Sequence, residues 1–81
     1  MENKKNRSPK DRKTPLQIMF GQLVRQKRLP QGLSQEQLAE IAGLHFTYIS
    51  SVERGERNIT LGNIAKIAKA LQCSLKDLMP Y

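Results

Sequence analysis

The sequence predicts an all-α fold of five helices, and three observations lead there. Apolar residues recur at three- and four-residue spacing between turn residues, and no run alternates β-branched with polar residues as a strand would. Ser or Thr stands at the mouth of several periodic stretches, at Thr14, Ser34, Thr60 and Ser74, where a side-chain oxygen can take up a free helix N–H. Glycine or proline stands at the exits, at Pro30, Gly32, Gly43, Gly55 and Pro80.

Eighty-one residues allow one domain, with a core small enough that every apolar stripe matters. At 38% apolar and 5% aromatic residues the chain can still fill a compact helical interior. Its longest apolar runs are far short of a membrane span, so no membrane partner is expected. Met1–Lys13 is too polar for a secretory signal, and a cytoplasmic location is expected. Cys73 is the only cysteine, which leaves no internal disulfide and no cysteine-rich zinc site; it is expected to pack as a small apolar group. The formal charge of +7 points to an acidic partner. It is concentrated early: Met1–Lys13 holds six Lys/Arg against Glu2 and Asp11, Arg25, Lys27 and Arg28 follow, and the rest is neutral.

Met1–Lys13 has no large apolar residue after Met1 and is expected to be a disordered basic arm, with residues 14–81 forming the folded domain. Such an arm either follows phosphates or enters a minor groove, or is a solvated tail. The first helix opens on Thr14, with Pro15 in the first turn and Gln17 completing a capping box. Leu16, Phe20, Leu23 and Val24 form its stripe with Met19 alongside, and the helix ends near Leu29. Ser34 caps the second helix with Gln37 in the box position, leaving the N-terminus at Gln35 available to a phosphate. Leu38, Ala39, Ile41 and Ala42 are its apolar residues, and the small Ala39 suits a close helix crossing. Gly43 then reverses the chain, with Leu44 as an apolar plug inside the turn.

The third helix spans about Phe46–Arg54, with Ile49 and Val52 fixing its buried side. Phe46, Thr47, Ser50, Ser51 and Arg54 are then expected to face outward. Short hydroxyl side chains beside one aromatic residue are unusual for a solvated helix, which more often carries Glu, Lys and Gln. They suit a helix pressed into a DNA major groove, where Thr and Ser reach base edges and Phe meets a thymine methyl. Two helices joined at Gly43 in this way make the helix-turn-helix pattern. In the following loop Arg57 and Asn58 are placed for backbone phosphates. Thr60 caps a fourth helix that buries Leu61, Ile64, Ala65, Ile67, Ala68 and Leu71. Ser74, with Asp77 in the box position, opens a short fifth helix that Pro80 stops.

Enzymatic chemistry is not expected. His45, the one histidine, has no partner at catalytic or metal-ligand spacing, and at the entry to the third helix it suits capping or a phosphate contact. No Gly-rich loop precedes a helix, so no cofactor, metal or small-molecule ligand is implied.

The run GLSQEQLAEIAGLHFTYISSVERGERN resembles the Cro/repressor-type helix-turn-helix family, and the likeness extends from about Phe20 to Met79. Within that family, LHFTYISSVERGERNIT is most similar to the controller proteins of restriction–modification systems. The resemblance implies a lambda-repressor-like domain of five helices, a homodimer, and control of transcription from a partly palindromic operator in double-stranded DNA. It implies that Thr47, Tyr48, Ser50 and Arg57 contact DNA, with Gln35 and Asn58 holding phosphates. It also places a structural ion pair on Arg28 and Glu53, the latter beside Val52 at the buried edge. Controllers often carry Arg where this chain has Phe46, so a thymine contact or an altered operator is expected there.

The sequence therefore points to a sequence-specific transcriptional regulator. Bases would be met by Phe46, Thr47, Tyr48, Ser50 and Ser51, and phosphates by Gln35, Arg54, Arg57 and Asn58. One half-site is too short to be specific within a genome, which calls for a two-fold dimer. Leu75, Leu78 and Met79, joined by Leu71 and Ile59, would form its seam, or would instead seal the monomer core. A prophage-type repressor shares most of these motifs. An antitoxin or adaptor using the scaffold for protein contacts has no need of Thr47 and Ser50 beside Arg54 and Arg57. RNA binding would ask for a stacking platform that four aromatic residues do not supply.

Overall fold

Thr14 closes a capping box in which its hydroxyl accepts from the Gln17 amide and the Gln17 side chain accepts from Thr14. With Pro15 preset for the first turn, α1 runs over Pro15–Arg28 in this computed structural model, which describes residues 13–80. The basic arm expected over Met1–Lys13 lies, but for Lys13, outside the described residues. A single 3₁₀ turn, Leu29–Gln31, follows α1, and Gly32 leaves it with φ +71°. Ser34 and Gln37 close a second box over α2, Gln35–Ala42. Gly43 at φ +72° ends α2, and the Gly43 and Leu44 amides both return to the last turn. After this reversal comes α3, Phe46–Glu53, and Thr60 caps α4, Leu61–Ala70.

The fifth helix expected from the sequence is not an α-helix. Ser74 and Asp77 do form the reciprocal box, but it closes one 3₁₀ turn, Leu75–Leu78, before Met79 turns extended. Four residues ahead of Pro80 close i→i+3 bonds at once and are too few to extend an i→i+4 ladder. The fold is therefore four α-helices with two 3₁₀ turns, and no strand among the described residues.

Phe20 and Val24 from α1, Leu38 and Ala42 from α2, Ile49 and Val52 from α3, and Ile64, Ile67 and Leu71 from α4 meet in one core. Leu44 plugs the α2–α3 turn against it. Several stripe residues expected inside lie at its margin. Leu16, Ile41, Leu61 and Ala65 are exposed, Leu61 at 73%. Leu16 and Leu61 sit on first turns, where a stripe has neighbours on one side only. Ala65 stands about 100° round the helix from Ile64, outside the covered arc. Cys73 is half-buried against the core, and burial pushes its thiol up, so it stays a protonated, weakly reactive group.

Leu71 and Leu78, expected at a dimer seam, are 2% and 0% exposed and belong to the monomer core. The 3₁₀ turn tucks Leu78 inward against α4 while leaving Leu75 43% exposed on the other side. Two further ties were not legible in the sequence. Gln31 donates its side-chain amide to the Leu71 carbonyl at 2.8 Å, fastening the exit of α1 to that of α4. Gly21 lets α1 cross α3 so closely that a Cβ there would meet the Val52 carbonyl oxygen and stand 2.9 Å from that of Glu53.

Candidate nucleic-acid interface

The site is built on a buried charge pair. Arg28, in the last turn of α1, donates through Nε to Glu53 Oε2 at 2.7 Å and through Nη2 to Glu53 Oε1 at 2.9 Å. Its Nη1 donates to the Leu33 carbonyl at 2.8 Å. The two side chains are 8% and 3% exposed, and the Glu53 carboxylate raises the Arg28 guanidinium above its ordinary value, with burial opposing. Two fork bonds satisfy both charges, which is the geometry that makes a desolvated pair tolerable. Gln35, at the start of α2, donates Nε2 to Glu53 Oε1 at 3.0 Å. One carboxylate therefore fixes the end of α3 to both α1 and α2, and leaves the second Gln35 amide hydrogen for an outside acceptor.

With α3 so held, Phe46 is 44% exposed and Thr47 is exposed at its N-terminal end. Ser50 is half-buried and accepts from Arg54 Nη1 at 2.6 Å. The same guanidinium reaches Glu56 at 3.1 Å, and Lys13 stands 3.9 Å from that carboxylate. The Arg54 hydrogen bond holds the Glu56 carboxyl below the usual carboxylate range. Asn58 and Arg57 are exposed in the following loop. His45 is the N-cap of α3 but makes no side-chain capping bond, so the capping role considered for it is not taken up.

Ser51 departs from its expected place. It is 6% exposed, donating its hydroxyl to the Tyr48 carbonyl at 2.8 Å and accepting from Arg57 Nε at 2.8 Å. Ile49 and Val52 alone suggested a narrow buried side, but α3 is also covered by the loop carrying Arg57, which brings Ser51 inside. Arg57 is thereby laid over the Tyr48 ring, 5.2 Å from its centroid. Asn63, on the first turn of α4, donates to the Tyr48 hydroxyl at 3.1 Å. Nothing in the residue pattern singled out Asn63; its spacing to Tyr48 is set by the loop.

Of the groups named from sequence, Phe46, Thr47, Arg54, Arg57 and Asn58 are exposed, Gln35, Tyr48 and Ser50 are half-buried, and Ser51 is buried. Of the proposed seam residues, Leu75 is exposed while Ile59 and Met79 are half-buried against the core. These last two line an apolar groove of about 130 Å³ with Leu16, Phe20 and Ile64, and Arg57 and Asn58 stand at its rim. No cluster of ligating side chains that could hold a metal lies among the described residues, and none of their helices is long and apolar enough to cross a membrane.

Comparison with known proteins gives the chain a family. The helix-turn-helix family model HTH_3 matches residues 24–78. The chain is 52% identical over 67 residues to Control protein C.BamHI of Bacillus amyloliquefaciens, covering 82% of this chain and 83% of that protein. It is 59% identical over 56 residues to Control protein C.SmaI of Serratia marcescens, covering 69% and 67%. The crystal structure of the restriction-modification controller protein C.AhdI from Aeromonas hydrophila matches with a TM-score of 0.76 at 46% identity, over 78% of this chain and 96% of that one.

Proposed function

Because the chain belongs to the helix-turn-helix family, among the controller proteins of restriction–modification systems, we propose that it regulates transcription by binding, as a homodimer, a partly palindromic operator before such an operon. The observation that carries this reading is the buried Arg28–Glu53–Gln35 network, which holds α3 rigidly with Phe46 and Thr47 outward. A groove-reading helix needs its side chains held to within a fraction of an ångström, and a buried bidentate pair at its end supplies that. In this reading α3 lies in the major groove, where Phe46, Thr47, Tyr48 and Ser50 meet bases. Arg54, Arg57, Asn58 and Gln35 hold the backbone on either side. Ile59, Leu75 and Met79 form the dimer seam, without Leu71 and Leu78. In this reading the protein occupies its promoter, repressing by excluding polymerase or activating from beside it, in the cytoplasm where its DNA is. A gel shift with the DNA upstream of its own gene tests the reading directly. Failure to prefer that duplex over random sequence would leave the scaffold to a protein-binding role.

Affinity and specificity should then separate by residue. Arg57→Ala should weaken binding to random and operator duplex both and lower the slope of log K against log salt by about one unit, as loss of one phosphate contact does, with a further loss on the operator because Ser51 and Tyr48 lose their Arg57 contacts. Thr47→Ala should leave that slope unchanged and cost about 1–3 kcal/mol on the operator only. Titrations on operator and random duplex at two salt concentrations separate the two outcomes.

Phe46 gives the sharper test of register. Its exposed ring offers an apolar contact to a thymine methyl, whereas an arginine would offer a bidentate donor to guanine. Phe46→Arg should move the preferred base at one symmetric pair of operator positions toward guanine while leaving the melting temperature unchanged. Selection of sites from random DNA reports this. Identical operators for both proteins would mean that Phe46 does not face the bases.

A further inference from the structure

Taking the DNA-binding reading as its premise, we infer that Asn63 is a positioning residue of the interface, setting which way the Tyr48 hydroxyl presents itself to DNA. Asn63 is not itself on α3. It occupies the first turn of α4, where its backbone amide is spent on the Thr60 cap and its side-chain Nδ2 donates to the Tyr48 hydroxyl at 3.1 Å. A phenol oxygen that accepts a hydrogen bond keeps its own hydrogen to give away. Tyr48 is therefore presented as a donor. Its ring carries the Arg57 guanidinium at 5.2 Å, and Arg57 Nε is already spent on Ser51 at 2.8 Å. What remains of Arg57 is the pair of Nη groups, also donors. The Asn63–Tyr48–Arg57–Ser51 chain thus leaves the Tyr48 hydroxyl hydrogen and the Arg57 Nη hydrogens without acceptors among the described residues, a polarity matched to the acceptors of phosphates and of the major-groove edges of purines.

Asn63→Asp reverses this polarity while changing little else. The carboxylate accepts the Tyr48 hydrogen, so the phenol oxygen turns its lone pairs toward the DNA. A carboxylate on the first turn of a helix favours the helix dipole, so the variant should melt at or above the wild-type temperature. It also adds a charge, which a thermodynamic cycle removes. Wild type, Asn63→Asp, Tyr48→Phe and the double variant are titrated against the upstream duplex and a random one. On the upstream duplex Asn63→Asp should weaken binding by about tenfold in the wild-type background, the loss of one well-made hydrogen bond. In the Tyr48→Phe background the penalty should shrink to about twofold, the share due to charge alone. Equal penalties in both backgrounds, or none in either, would overturn the inference.

The hydrogen bond has its own readout without DNA. In ¹⁵N spectra of the full chain, the Asn63 side-chain amide resonance should move on Tyr48→Phe. An unmoved resonance would show that Asn63 does not donate to that hydroxyl, and would overturn the inference whatever the titrations give. A wild-type chain that prefers neither duplex would instead overturn the DNA-binding premise.

Discussion

Arg28→Ala should lower the free energy of unfolding by about 3–5 kcal/mol and abolish operator binding with it. The magnitude follows from what is left behind. Glu53, its side chain 3% exposed, would keep only the Gln35 amide for a partner, and the Leu33 carbonyl would lose its donor as well. A small domain holds only about 5–15 kcal/mol in total, so the loss is a large share of the stability of the whole fold. Urea titration gives the midpoint shift. Replacing both members, Arg28→Met with Glu53→Leu, should recover much of the stability, because an apolar pair strands no charge. It should not recover DNA binding, since Gln35 then has nothing to orient it. A shift of about 0–1 kcal/mol in Arg28→Ala with binding intact is what an exposed pair would give, and would place the pair on the surface.

Gly21→Ala should destabilise the fold by about 1–3 kcal/mol, against the usual sign of such a change. In a helix interior alanine ordinarily gains about 0.5–1 kcal/mol over glycine. Here the added methyl would meet the Val52 carbonyl oxygen and lie 2.9 Å from the Glu53 carbonyl oxygen, both backbone atoms that cannot rotate aside. α3 would have to back away from α1 at the very turn that carries Glu53. Gly62→Ala makes an internal control: only the Thr60 hydroxyl lies near, at 3.9 Å, and that variant should gain stability. Thermal melts of the two variants should move in opposite directions. Parallel movement would mean that the α1–α3 approach is looser than described.

The contrast between these glycines shows which features the sequence could carry. Gly43 was legible because a left-handed turn residue between two periodic stretches has a local cause. The caps at Thr14, Ser34, Thr60 and Ser74 are local in the same sense, and each one closes in the structure. Gly21 sits mid-helix with ordinary neighbours, and its reason is a carbonyl some thirty residues away in the chain. Ser51 is buried for a related cause. A period locates the centre of a buried face, but its width depends on how many neighbours cover the helix, and an eight-residue helix can be covered on most of its circumference. Leu71 and Leu78 were readable as apolar; whether they would meet their own chain or a second copy turned on the direction of one short 3₁₀ turn.

Glu56 leaves the interface with a counter-ion of its own. Its carboxylate holds Arg54 at 3.1 Å and has Lys13 within 3.9 Å, so part of the positive surface is neutralised before any nucleic acid arrives. In the proposed DNA-bound state a phosphate at Arg54 would exchange one anion for another rather than capture a bare cation. Fewer bound salt ions are released than the number of basic side chains suggests, and random sequence is held less firmly. In a cell where almost all DNA is competitor, a weaker grip on the wrong sites shortens the time lost there, while a phosphate contact, weakened alike on operator and random sequence, leaves their ratio unchanged.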